Sequence, residues 1–129
     1  MCGIAGFCSY MTNFNDNRER WNDVLTGMRT QIHRRGPDSA GEHLENHVGL
    51  SHIRLAIRDI EGGAQPMIRD KYVIVYNGEI YNADGLKTEL KKAGFIFETT
   101  SDTEVILNAF IHYGPDFVEK LNGIFAFVI

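Results

Sequence analysis

Cys2 is a chemical opportunity once the methionine before it is removed. It then carries a thiol and a free α-amine on one Cα. The thiolate is the nucleophile, and the ordinary thiol pKa is about 8.5. An α-amino group with a pKa near about 7.8 takes up and returns a proton close to neutral pH. Nucleophile and base in one residue make a unit for covalent chemistry that needs no distant histidine. Read alone, Cys2 is equally a small second residue that happens to be a thiol.

Other positions offer complementary groups. Asn77 and Gly78 follow the apolar run Tyr72 to Tyr76. A side-chain amide and a glycine N–H that a ligand can approach closely are the two donors an oxyanion needs. The same dipeptide is also the strongest short hairpin signal. Glu79 comes next and puts a carboxylate where a ligand ammonium can meet it. Arg54, between Ile53 and Leu55, is either an outward-facing residue of an alternating strand or a planar clamp for a carboxylate. Asp102 is equally suited to a helix start, where the macrodipole favours an acid and no ligand is required. The five histidines lack convincing metal spacing: His43 and His47 would be neighbouring ligands only on a helix, and the glycines around them argue for strand or loop. No G-x-x-x-x-G-K phosphate loop occurs.

The elements that must position these groups follow from periodicity. Residues 2–8 suit a buried strand. Trp21, Val24, Leu25, Met28 and Ile32 share one face of an amphipathic helix that ends before Arg34-Arg35-Gly36-Pro37-Asp38-Ser39-Ala40-Gly41, read as a loop. Val48 to Ile57 reads as a strand and Gly62 to Pro66 as a loop. Tyr72 to Tyr76 reads as a strand entering a tight turn at Asn77-Gly78. Asn82 or Asp84 caps a helix carrying Leu86 and Leu90 and closed by Gly94. Phe95 to Glu98 reads as a short strand. Ser101-x-x-Glu104 is a capping box for a helix with Val105, Ile106, Ala109 and Phe110 inward. Pro115 opens a last short helix before Gly123 to Ile129, which reads as a buried strand. These elements predict an α+β fold of two packed sheets with helices outside.

Composition narrows the classes. A chain of 129 residues, 43% apolar and 23% charged, holds one domain at most. A net charge of -4 and the lack of a basic run argue against nucleic acid. No apolar run has membrane-spanning length, and no positive n-region suggests a signal peptide. On one strand, Cys2 and Cys8 would lie roughly 20 Å apart at about 3.3 Å per residue, beyond the roughly 7 Å that a disulfide allows. The expected compartment is the cytoplasm. The terminal run stops inside an apparent strand, as expected of a piece cut from a longer protein.

Read together, the stretches resemble the class II, N-terminal nucleophile glutamine amidotransferases, and within them the glutaminase domain of glutamine-hydrolysing asparagine synthetases. The matching motifs are Met-Cys-Gly-Ile-Ala-Gly, Arg-Arg-Gly-Pro-Asp-Ser-Ala-Gly at 34–41, Leu-Ser-His-Ile-Arg-Leu-Ala-Ile at 50–57 and Gly-Ala-Gln-Pro-Met at 63–67. Asn-Gly-Glu-Ile-Tyr-Asn at 77–82, Ser-Asp-Thr-Glu-Val-Ile at 101–106 and Leu-Asn-Gly-Ile-Phe-Ala-Phe at 121–127 complete the set. The resemblance implies a four-layer α/β/β/α sandwich, here a C-terminally truncated glutaminase domain over 1–129. It implies Cys2 as nucleophile, Asn77 and Gly78 as oxyanion hole, Arg54 on the α-carboxylate of glutamine, and Glu79 and Asp102 on its ammonium. Arg34 stands where the family commonly has His, which bears on loop closure and not on catalysis.

The implied partners are L-glutamine and a C-terminal synthetase domain of the same chain; a homodimer stays open as the oligomeric state. No cofactor is implied for this domain, and ATP and magnesium belong to the synthetase domain alone. Three alternatives remain: a purine or amino-sugar amidotransferase, a non-catalytic module of the same fold, and a self-processing N-terminal nucleophile hydrolase.

Overall fold

The computed structural model describes residues 2–55 and 62–129. The chain forms two antiparallel three-stranded sheets. The first contains β1 (Gly3–Cys8), β2 (Ser39–Glu45) and β3 (Val48–Arg54) in the order β1-β3-β2. The second contains β4 (Met67–Arg69), β5 (Tyr72–Ile80) and β6 (Gly123–Val128) in the order β4-β5-β6. Helix α1 (Arg18–Gln31) covers the outer face of the first sheet. Helices α2 (Ala83–Lys92) and α3 (Asp102–Tyr113) cover the second, while β1 and β3 pack on β5 between the sheets. The result is the expected α+β sandwich of four layers.

Local chemistry explains the outer layers. The Asn17 side chain accepts from Arg20 N–H and caps α1, whose Leu25 is fully buried. Trp21 closes an aromatic cluster with Phe7 and Phe14, ring centroids 4.7–5.4 Å apart. Residues 103–109 of α3 are all buried, because the helix lies between β5 and α2. Each large aliphatic side chain packed there contributes about 1.5–3 kcal/mol.

The capping box at α3 is only half formed, and the other half does something more useful. The Ser101 hydroxyl accepts from Glu104 N–H at 3.4 Å. The buried Glu104 carboxylate does not return to Ser101. It accepts from Glu98 N–H (2.9 Å), Thr99 N–H (2.7 Å) and the Thr99 hydroxyl (2.7 Å), with Arg69 at 3.4 Å. A buried charge is tolerable only when satisfied in this way. Phe95 N–H goes to Leu90 O, so Phe95 to Glu98 is a segment tied to the helices and not the expected strand.

Other expectations also needed correction. Asn77-Gly78 is no turn: β5 continues to Ile80, pairing Asn77 with Ala126 and Gly78 with Phe125. Glycine is required there because its φ is +156° and a Cβ would collide with Ile124 O on β6. Strand β6 is covered on one face only. Phe125 and Phe127 pack on the α3 side, whereas Ile124 is 75% exposed. Strand β2 occupies part of the expected 34–41 loop, and β4 was not expected at all. The strand read as Val48 to Ile57 ends at Arg54; Ala56 and Ile57 lie outside the described residues. Both cysteines are unpaired, as the strand geometry required.

Candidate active site

The end of β3, the far half of β5 and the N-terminus of α3 enclose a cleft of about 440 Å³. Cys2, Arg54, Asn77, Gly78, Glu79 and Asp102 all line it. Residues separated by a hundred positions in sequence therefore face one space.

Cys2 immediately precedes β1. Its Sγ lies against the Leu55 peptide, accepting from Leu55 N–H at 3.4 Å with Leu55 O at 3.7 Å. Arg35 Nε donates to Cys2 O at 3.0 Å, which fixes the backbone of the residue from outside the cleft. Arg54 ends β3 and is 8% exposed, so the outward-facing alternative fails. Strand alternation places it with His52 on the face turned toward the second sheet.

Asn77 and Gly78 owe their exposure to an unfinished ladder. Strand β4 pairs with β5 only from Met67↔Ile74 to Arg69↔Tyr72, and Pro66 supplies no N–H to extend it. Beyond Ile74, side chains replace the missing strand. Tyr76 N–H donates to Gln65 Oε1, and Ile80 N–H donates to Asp102 Oδ2 at 3.0 Å. On the opposite edge Tyr81 N–H reaches Asn122 O at 2.7 Å. Alternation therefore turns Gly78 N–H the same way as those of Tyr76 and Ile80, toward the cleft and between two rungs satisfied by side chains. The Asn77 and Glu79 side chains share the face of β5 that looks into the space between the sheets.

Asp102 does not cap α3; Ser101 does. Its Oδ2 also takes the Tyr76 hydroxyl at 3.5 Å. Burial raises the Tyr76 phenol pKa, and the Asp102 and Glu79 carboxylates raise it further, so Tyr76 stays a neutral donor. His52 is 1% exposed and its Nε2 sits 3.1 Å from Tyr76 O. A carbonyl only accepts, so Nε2 carries the proton. Burial lowers the His52 pKa to about 4; the Tyr76 carbonyl opposes that shift and the Arg54 charge adds to it.

This has a pH consequence. Unfolded His52 takes up a proton below its ordinary value near 6.5, while folded His52 stays neutral down to about 4. Its contribution is fully present above pH 6.5 and is lost as pH falls toward 4, at up to about 1.4 kcal/mol per pH unit. Urea unfolding between pH 7 and pH 5 should show this decline in wild type and a shallower one in His52→Gln. Equal slopes in the two proteins would contradict the assignment.

Gln65, Tyr76, His52 and Arg35 were not read as site residues from sequence. Gln65 offered the one usable signal, a long amide directly before a proline that ends a ladder. Among the described residues no group of three His, Cys, Asp or Glu side chains is arranged to hold a metal, and no helix is long and apolar enough to cross a membrane.

Comparison with known proteins bears on this cleft. The profile of the glutamine amidotransferase domain family matches residues 1–129. Asparagine synthetase [glutamine-hydrolyzing] 3 of Bacillus subtilis is 43% identical over 133 residues, covering all of this chain and 21% of the relative. Asparagine synthetase B of Escherichia coli is 37% identical over 131 residues, covering all of this chain and 23% of that protein. Among solved structures, the glutamine phosphoribosylpyrophosphate amidotransferase of B. subtilis superposes with a TM-score of 0.54 and 27% identity, over 65% of this chain and 21% of that one. The chain thus spans about a fifth of the length of the synthetases it matches.

Proposed function

Because this chain belongs to the class II glutamine amidotransferases, we propose that its cleft hydrolyses the side-chain amide of glutamine through a thioester on Cys2. One observation carries this reading: a thiol, a two-donor edge at Asn77 and Gly78, a buried guanidinium and two carboxylates line a single cleft. Those groups complement the amide, carboxylate and ammonium of one amino acid.

The reaction follows from the groups. With Met1 gone, the α-amine of Cys2 takes the thiol proton as sulfur attacks the amide carbon. The resulting oxyanion receives hydrogen bonds from the Asn77 side chain and Gly78 N–H, donors held ready before charge develops. The protonated amine returns its proton to the departing nitrogen, and ammonia leaves. Water then attacks the thioester carbon and gives its proton to the amine. Glutamate departs and the thiol is restored. Arg54 binds the α-carboxylate in two-pronged fashion. Glu79 and Asp102 hold the ammonium, Asp102 while its Oδ2 also anchors Ile80.

In the full-length protein the ammonia serves ATP-dependent synthesis of asparagine from aspartate on a C-terminal synthetase domain. Identity of 37–43% over the whole of this chain to asparagine synthetases supports this acceptor, against 27–28% over 65% of the chain to the phosphoribosylpyrophosphate amidotransferase and an allosteric enzyme of purine biosynthesis. Hydrolysis in this cleft uses no cofactor; ATP and magnesium act on the synthetase domain. The two unpaired cysteines suit a reducing cytoplasm.

The oxyanion assignment has its own test. Asn77→Ala should lower glutamine turnover by about 10²–10³-fold, the usual cost of one lost donor. The loss should fall on kcat, since the oxyanion exists only after attack. A change confined to KM would make Asn77 a ground-state contact.

A further inference from the structure

Gln65 does work that a strand would otherwise do. The β4–β5 register runs Arg69↔Tyr72, Ile68↔Val73, Met67↔Ile74, so its next hydrogen-bonded rung would set residue 65 opposite residue 76. The backbone of Gln65 is not there. It runs instead against β2, where a Cβ at Gly41 would collide with Gln65 O. The side chain reaches back to the vacated rung: Oε1 accepts from Tyr76 N–H, and Nε2 donates to the Thr103 hydroxyl at 3.2 Å in the first turn of α3. His52 Nε2 takes the carbonyl of the same residue, Tyr76, at 3.1 Å. Both polar groups of the Tyr76 backbone are therefore fixed by side chains from other segments, one peptide before Asn77.

We propose that Gln65 is a positioning residue for the oxyanion donors, a reading that rests on the glutaminase function above. Its carboxamide stands in for the missing strand at Tyr76 and, with Asp102 at Ile80, clamps the Asn77-Gly78 segment from both sides. The rung at Gly78 is thereby kept straight and open to substrate. A backbone strand at that place would have continued the ladder and covered Gly78 N–H. A side chain satisfies one rung and stops.

Two variants of the full-length protein test this. Gln65→Ala removes both contacts. Gln65→Glu keeps an acceptor for Tyr76 N–H and can accept from the Thr103 hydroxyl, so it should rescue. Amide hydrogen exchange at Tyr76 reads the tie without any substrate; it should accelerate about tenfold or more in Gln65→Ala and stay near wild type in Gln65→Glu. In the same proteins kcat for glutamine should drop about tenfold in Gln65→Ala with KM changed less than threefold, and recover in Gln65→Glu. The rate of Cys2 alkylation by iodoacetamide should be unchanged, since the thiol is seated on the Leu55 peptide whereas the Gln65 carboxamide bonds to Tyr76 and Thr103. Unaltered exchange at Tyr76, or faster exchange with wild-type kcat, overturns the proposal. So does a loss spread equally over kcat, KM and thiol reactivity, which is the pattern of general loosening. Wild-type protein that fails to hydrolyse glutamine while the exchange pattern holds would overturn the glutaminase reading and the proposed role with it, and is told apart by that pattern.

Discussion

Cys2→Ala should abolish glutamine hydrolysis in the full-length protein, lowering turnover by about 10⁴-fold or more, the scale on which a covalent nucleophile is missed. Under the proposed function, synthesis from free ammonia should survive. The structure makes this a clean substitution. Among the described residues, the hydrogen bonds of the Cys2 thiol go to the Leu55 peptide, one weak bond at 3.4 Å and a 3.7 Å approach. The contact that fixes the residue, Arg35 to Cys2 O, uses backbone and persists in alanine. Losing the sulfur therefore removes the attacking atom and leaves Arg54, Asn77, Gly78, Glu79 and Asp102 in place. Ammonia release and asparagine formation, each measured with glutamine and with ammonium salt, check the result. Equal loss with both nitrogen sources would mean that alanine damaged more than the nucleophile.

Retention of Met1 has an effect of similar size. In a molecule that keeps it, the Cys2 nitrogen is an amide with no basic lone pair. The thiol then has no adjacent base. The buried imidazole of His52 does not replace it: burial lowers its pKa to about 4, which makes it a weak proton acceptor near neutral pH. Methionine-bearing protein should be inactive toward glutamine even with every cleft residue present. Preparations made with and without methionine aminopeptidase, assayed for ammonia release beside an intact-mass spectrum, check this. Turnover proportional to the processed fraction is the expected result.

The residues that line the cleft could be picked out as candidates by type, a thiol at position two, an amide beside a glycine, a guanidinium and two acids, while their proposed roles came from the motifs read together. How they are held was much less so. The Asn77-Gly78 pair carries a turn signal that is purely local, and nothing local reveals that β6 returns to pair Asn77 with Ala126 and Gly78 with Phe125. Strand β2 was hidden by its polarity, since only Leu44 of its seven residues is buried. Phe95 to Glu98 has the composition of a strand, but its N–H groups go to Leu90 O and the Glu104 carboxylate. Arg54 was ambiguous until the sheets were stacked, because alternation gives two faces and only packing says which is inside. Gln65 and His52 act on the backbone of Tyr76, a relation between segments that no motif within one segment records.

The central claim, an acyl group carried by a Cys2 that is the first residue, has one direct measurement. Full-length protein containing both processed and methionine-bearing molecules is mixed with glutamine, quenched in acid during turnover, and weighed intact. Peptide mapping then locates any adduct. A mass increase of one glutamyl group is expected on molecules that begin with Cys2, mapped to its sulfur, and no increase on molecules that keep Met1. An adduct of equal abundance in the methionine-bearing molecules, or one mapped to any other residue, would contradict it.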